Sequence, residues 1–336
     1  MAALGATHTQ VRMNVVGLVD AFTAQEFQMD ELLAVASAVM CRVAERLDLA
    51  SGTGSAQAAE KTWPPVSGWS ERRPPAGSTL DEPRVLSEQQ GVLALWKPAG
   101  WTVSVCEAED EAEGELWMKS GRGARPLQEW VAANFGARHP ITLDAGTAHG
   151  LLHRLDRGTS GAILCAKTYH GYYGAKMQFA ARRVRKRYLC LLHGLLPSGP
   201  RWLETPLRVV LERGSGRSIA VPDGDRARTL VRAVAHLLQL PGTGPLSFAE
   251  VELGTGRYHQ IRAHMSEEGY PLVADERYGG CVQPWCARVF LHAHRLCIDL
   301  GDGEGPLETL CALPADLRAA LSRPAATDAA SRALRR

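Results

Sequence analysis

The sequence predicts an α+β protein, an expectation carried by its patterning and bounded by its length and charge. Strand-like runs separated by turn signals crowd the middle of the chain, and helical spacing occurs in separate stretches before and among them. A length of 336 residues with 45% hydrophobic composition is enough to bury a substantial core. The formal net charge of +2 is close to neutral, so a nucleic-acid partner has to be met by a local basic patch and not by overall charge.

From Asp30 to Leu49 apolar residues recur at Leu32, Leu33, Val35, Ala36, Val39, Met40, Val43 and Leu47, after an acidic start that suits a helix N-terminus. With Val15 to Phe27 before it, this makes residues 1–50 an N-terminal helical segment. Residues 51–84 shift to Ser, Gly, Pro and Ala and read as a linker. Val92 to Lys97 is strand-like and is stopped by Pro98 and Gly100. The acidic run Glu107 to Glu115 reads as a solvated loop, and Pro126 to Phe135 as a short helix with Leu127, Trp130 and Val131 on one face.

The stretch around which the chain is organised is His153-Arg154-Leu155-Asp156-Arg157-Gly158-Thr159-Ser160-Gly161. An acid between two arginines, followed by Gly158 and Gly161 with their freedom of backbone angle, predicts a tight loop that holds Asp156 in place. The apolar run Ala162 to Ala166 then predicts a buried strand, which would fix the loop at a sheet end. Tyr169 to Lys186 has helical spacing and ends in Arg182, Arg183, Arg185, Lys186 and Arg187. With Lys176, this gives the chain its best phosphate-contacting surface. Tyr188 to Leu192 returns as a strand, and further strands are expected at Leu207 to Glu212, Thr229 to Leu240 and Ser247 to Leu253. Thr255 to His264 reads as a turn opening a helix that ends near Gly269.

The central stretch resembles the signature of RluA-type RNA pseudouridine synthases, His-Arg-Leu-Asp, two variable residues, Thr-Ser-Gly and an apolar strand ending in Ala-Lys. Other motifs follow the same family's order. Val92 to Gly100 resembles a strand ending in Lys-Pro-x-Gly; Lys186-Arg187-Tyr188 resembles Lys-x-Tyr; and Thr255 to His264 resembles Thr-Gly-Arg-x-His-Gln-Ile-Arg-x-His. Pro271 to Asp275 with Tyr278-Gly279 resembles Pro-x-x-Gly-Asp and Tyr-Gly, with Ala274 where Gly is usual, and Leu291-His292-Ala293 resembles the closing strand. The resemblance spans residues 85–320, taken as the catalytic domain, and leaves the first 84 residues and an Arg-rich tail, 321–336, outside it.

That resemblance implies a central, largely antiparallel β-sheet flanked by helices, with a basic cleft, and conversion of uridine to pseudouridine in RNA. It assigns catalysis to Asp156, with Arg262 as the cation beside it and Tyr188 as a platform for the uracil. His153, Arg154, Thr159, Lys186, Arg257, His259 and Gln260 become candidate substrate contacts, and Arg154 is suited to filling the space left by a flipped nucleotide. Lys176, Arg182, Arg183, Arg185 and Arg187 are candidate contacts to the RNA backbone. The reaction breaks the bond from ribose to a ring nitrogen, turns the base and rejoins it through a ring carbon. An ionised carboxylate starts it by attacking the nucleotide or by taking a sugar proton to give a glycal, and both routes stay open.

No cofactor is called for. The eight cysteines contain no Cys-x-x-Cys pair, and His259, His264, His292 and His294 lack a ligand set, so metal is not expected. Reduced cysteines point to an intracellular compartment, cytoplasmic or organellar, with mitochondrion and chloroplast both compatible. No run reaches the roughly 18 apolar residues of a membrane helix, and a monomer is expected. The rival reading is an inactive RNA-binding protein on the same fold. A glycosidase fails because the central motif supplies one acid in basic surroundings.

Overall fold

Most of the strand-like runs come together in one mixed sheet in a computed structural model that describes residues 82–103, 125–212, 215–238, 244–322 and 325–326. The expected N-terminal helix and the acidic loop lie outside those residues, as do most of the linker and most of the Arg-rich tail.

The strands are β1 (Arg84–Glu88), β2 (Val92–Lys97), β3 (Trp101–Thr102), β4 (Arg125–Pro126), β5 (Ser160–Ala166), β6 (Arg185–His193) and β7 (Arg201–Leu203). They continue with β8 (Leu207–Glu212), β9 (Ser215–Ala220), β10 (Thr229–Leu238), β11 (Leu246–Leu253), β12 (Leu291–Ile298), β13 (Leu307–Leu310) and β14 (Ala325–Ala326). Helices are α1 (Leu127–Phe135), α2 (Tyr169–Ala180), α3 (Gln260–Glu267) and α4 (Ala315–Leu321). The main sheet runs β1-β2-β5-β12-β6-β11-β10-β14, with β13 added to β12 and β7 to β10. Its pairings are antiparallel except that of β5 with β12.

Both faces of this sheet are covered, which is why β2 and β5 are apolar without alternation and buried at every position. On one face α1 and α3 contribute Leu127, Val131, Ile261 and Met265 to a core with Ile163, Tyr188, Cys190 and Val251. On the other face α2 packs Tyr172, Tyr173, Ala175 and Met177 over β2 and β5, while α4 packs Leu317 and Leu321 near Leu191 and Phe248. The hairpin β8–β9 stands apart as its own two-stranded sheet.

Two local expectations are corrected. The helix expected to reach Lys186 stops at Ala180, and the chain turns through Arg182, whose φ of +57° is left-handed, before β6 begins at Arg185. The basic run is therefore a turn and a strand start, not a helix face. Gly158 needs no special freedom: its φ is not in the left-handed region, and a Cβ there would meet nothing within 4 Å. Gly161 is the constrained position, with φ +134° and a Cβ that would lie 2.3 Å from the Ala293 carbonyl oxygen. Only a residue without Cβ lets β5 approach β12 this closely.

Candidate active site

The loop that carries Asp156 is fastened from several sides. Lys97, fully buried at the end of β2, donates from Nζ to the carbonyls of Pro98, Arg157 and Thr159 at 3.1, 3.4 and 2.8 Å. Arg288 donates to the Gly158 carbonyl at 3.0 Å and to the Ser160 hydroxyl at 3.1 Å, and its Nε is held by Asp316 of α4 at 2.7 Å. Ser160 also meets His292 of β12 at 3.0 Å, and within the loop the Thr159 N–H donates to the Asp156 carbonyl. A site of this rigidity suits a group that must meet substrate in one geometry.

Asp156 faces a cleft of about 100 Å³ lined by residues from the loop, β6, the end of β11 and the start of α3. The Arg262 guanidinium is the organising cation. Its Nε and Nη2 donate to the two oxygens of fully buried Asp275, both at 2.8 Å, in the bidentate form that matches a planar guanidinium to a carboxylate. Its Nη1 then points toward Asp156 Oδ2 at 3.5 Å and donates to His259 Nε2 at 2.9 Å. Because Arg262 can only donate, His259 accepts at Nε2 and carries its proton on Nδ1. That proton goes to the Tyr278 hydroxyl at 3.2 Å, whose oxygen also accepts from the Ser218 N–H at 2.8 Å. His259 is thus a neutral spacer between Arg262 and Tyr278, although its Nε2 lies 3.8 Å from Asp156.

Tyr188 reaches the same cleft from β6. Burial, and then the negative charge of Asp156, raise its phenol above the ordinary tyrosine value, so it is protonated at neutral pH. Lys186, two residues earlier and so on the same face of the strand, also lines the cleft, and burial pulls its ammonium down to about 8. Arg154 lies at the cleft with its guanidinium 5.0 Å from the Tyr258 ring centroid, and Tyr258 stacks on His259 with centroids 3.8 Å apart.

Of the residues singled out from sequence, Asp156, Tyr188, Arg262, His153, Arg154, Thr159, Lys186, Arg257, His259 and Gln260 all line this cleft. Two of them are already committed. Gln260 accepts from the Thr255 hydroxyl and the Arg257 N–H, and donates to the Arg228 carbonyl and the Thr229 hydroxyl. Its amide has no capacity left for a substrate. His153 accepts the Leu164 N–H at 3.0 Å and turns its other nitrogen to the Arg154 carbonyl, and burial with nearby Lys186 lowers it to about 3. It is a neutral brace of the loop.

The proposed backbone track does not line the cleft. Arg185 and Arg187 alternate with Lys186 and Tyr188, so they point to the opposite face of the sheet. There Arg187 pairs with Glu252 at 2.9 Å and Arg185 reaches Cys297. Lys176 bonds the Leu152 carbonyl, and Arg182 and Arg183 stand exposed on the turn after α2. Sequence reasoning passed over Asp275, Tyr278, Tyr258 and Lys97. The Pro-x-x-Gly-Asp, Tyr-Gly and Lys-Pro-x-Gly patterns contained three of them, but no spacing along the chain reveals that Asp275 meets Arg262.

The fold is thus an α+β sheet that brings a carboxylate, an arginine held by a buried aspartate and a tyrosine to one cleft. Residues 91–267 match the family model for RNA pseudouridylate synthase, and the chain belongs to that family, in its RluA-type branch. A Chloroflexus aurantiacus protein named as an uncharacterized RNA pseudouridine synthase is 36% identical over 187 residues, which are 55% of this chain and 57% of that protein. The ribosomal large subunit pseudouridine synthase D of Pseudomonas aeruginosa is 37% identical over 200 residues, 59% of this chain and 54% of the other. The chain thus spans a little over half the length of these curated relatives. Human RNA pseudouridylate synthase domain containing 1 shares the fold, with a TM-score of 0.54 at 21% identity, covering 77% of this chain and 95% of that one.

Proposed function

We propose that this chain isomerises specific uridines of structured RNA to pseudouridine, with residues 85–320 as the catalytic domain. The observation that carries the reading is the convergence of Asp156, the Asp275-anchored Arg262 and Tyr188 on one cleft. A target uridine flipped from its stack enters with its base on Tyr188 and its ribose against the Asp156 carboxylate. Arg262 stabilises that carboxylate and is itself held by Asp275, so the charge is ready before substrate arrives. The N1–C1′ bond then breaks, the detached uracil turns between Tyr188 and the cleft wall, and C5 bonds to C1′. The C5 proton leaves and N1 gains one, so no atom is gained or lost in the product. Tyr188 begins as a protonated phenol, able to donate to the base and to confine it. Arg154, stacked on Tyr258 at the mouth, is the group to occupy the vacated stack.

The test is tritium release from RNA labelled at uracil C5. Asp156→Asn keeps size and removes charge, so we expect release to vanish while RNA binding persists. Substantial release by a folded Asn variant would remove Asp156 from the reaction.

A further inference from the structure

Beside the cleft lies an aromatic surface that the reaction does not use. Trp202 is 45% exposed, although it is one of the largest apolar side chains in the protein. It sits on the short edge strand β7 with the Arg228 guanidinium 4.3 Å from its ring centroid. The indole edge packs on Gly254, where a Cβ would come within 3.2 Å of Trp202 Cζ3. Gly254 lies between Leu253 and Gly256, both of which line the cleft. The ring is therefore separated from the active site by the width of one backbone strand.

Register fixes how the ring is presented. Trp202 pairs with Leu230, Leu230 with Glu252, and Glu252 with Arg187, so these four share one face of the sheet. Tyr188, next to Arg187, is on the other face. A chain leaving the cleft over the lip at Gly254 and Gly256 meets the indole on the far side. Three arginines lie along that path: Arg257 lines the cleft, donates to the carbonyl of exposed Arg226 and lies 3.8 Å from exposed Asp225, and Arg228 backs the indole. Glu204, which pairs with Arg228, is itself 54% exposed, and such a pair contributes little that a phosphate cannot replace.

We propose that Trp202 is a stacking subsite for a base of the RNA strand flanking the target uridine, with Arg226, Arg228 and Arg257 along its phosphates. An exposed aromatic ring among arginines is the arrangement that binds single-stranded nucleic acid, because every base offers a π-face. This subsite rests on the reading of the chain as an enzyme acting on RNA. It holds a nucleotide next to the reacting one and so sets affinity and placement, not the chemical step.

The test compares a fluorescein-labelled oligouridylate with an abasic ribose-phosphate oligomer of the same length, by anisotropy. A stacked base contributes about 1–3 kcal/mol, so Trp202→Ala should weaken oligouridylate binding about fivefold or more. The same variant should leave affinity for the abasic oligomer and the salt slope unchanged. Trp202→Phe, which keeps a smaller ring, should recover most of the loss. Wild-type affinity for oligouridylate in a folded Trp202→Ala protein overturns the subsite, and so does an equal loss on the abasic oligomer. If the wild type releases tritium from C5-labelled RNA while the stacking effect is missing, only the subsite falls. If it neither binds oligouridylate nor releases tritium, the functional reading falls with it.

Discussion

Replacing Asp275 by Asn isolates what the buried pair contributes to the site. Asp275 is fully buried and the Arg262 side chain is 4% exposed, with two hydrogen bonds of 2.8 Å between them. Removing one partner of a buried ion pair costs about 3–5 kcal/mol, because the remaining charge is left without compensation. The lower end applies here, since Arg262 keeps Asp156 at 3.5 Å as a second, more solvated counter-charge. Asn also turns an amide N–H donor toward a guanidinium donor, so one of the two bonds becomes a repulsion. For a domain of this size, about 3 kcal/mol lowers Tm by about 6–12 °C. Released from Asp275, the guanidinium leaves the geometry that Asp156 needs, and a misplacement of about 1 Å costs on the order of a hundredfold in rate. Thermal denaturation with the tritium-release assay reads both, with kcat expected to fall and KM for RNA nearly unchanged. A folded Asp275→Asn protein with wild-type Tm and kcat would refute the view that this pair holds the catalytic cation.

Two further outcomes are expected. Lys186 is charged below about pH 8 and neutral above it, so the salt slope of RNA binding should shrink by roughly 0.7–0.9 between pH 6.5 and 9.5. Lys186→Met should abolish that pH dependence; because the unfolded lysine holds its proton up to about 10.5, stability itself should rise with pH between about 8 and 10.5. Gly161→Ala forces a Cβ into the Ala293 backbone and should abolish both cooperative melting and activity, whereas Gly158→Ala should leave stability level or raise it by about 0.4–1 kcal/mol. Equal tolerance of the two substitutions would remove the close approach of β5 and β12 from the argument.

The motifs made the cleft legible because each packs its chemistry into a few adjacent residues. The loop around Asp156, the Lys186-Arg187-Tyr188 motif and the turn before Arg262 are each contiguous in the sequence, although the strand starts earlier than expected, at Arg185. What stayed hidden depends on the other chain segments each residue meets. Whether Arg185 and Arg187 face the cleft is decided by the register of β6, and a basic run looks the same on either face. Gln260 carries a motif position yet spends its amide on Thr255 and Arg257 of its own motif and on Arg228 and Thr229, some thirty residues earlier. The two glycines of the central loop differ in backbone angle and in what stands opposite them, and neither difference shows in the sequence. Ala274 replaces a usual Gly and adopts φ +62°, which the backbone sustains because the neighbouring N–H groups are tied to Cys281 and Leu272.

The fastening of the Asp156 loop by Arg288, His292 and Asp316 has a consequence for how the protein comes into being. More than a hundred residues separate the loop from these partners, and they leave the ribosome near the end of the described fold. Asp156, Tyr188 and Arg262 are all synthesised before them. A nascent chain therefore holds the reactive groups for a time without the brace that aligns them, and competence arrives only when β12 and α4 close over the loop. Contacts of such long range also form late in folding. Loss of β12 and α4 should then abolish the proposed activity even though Asp156, Tyr188 and Arg262 are all present.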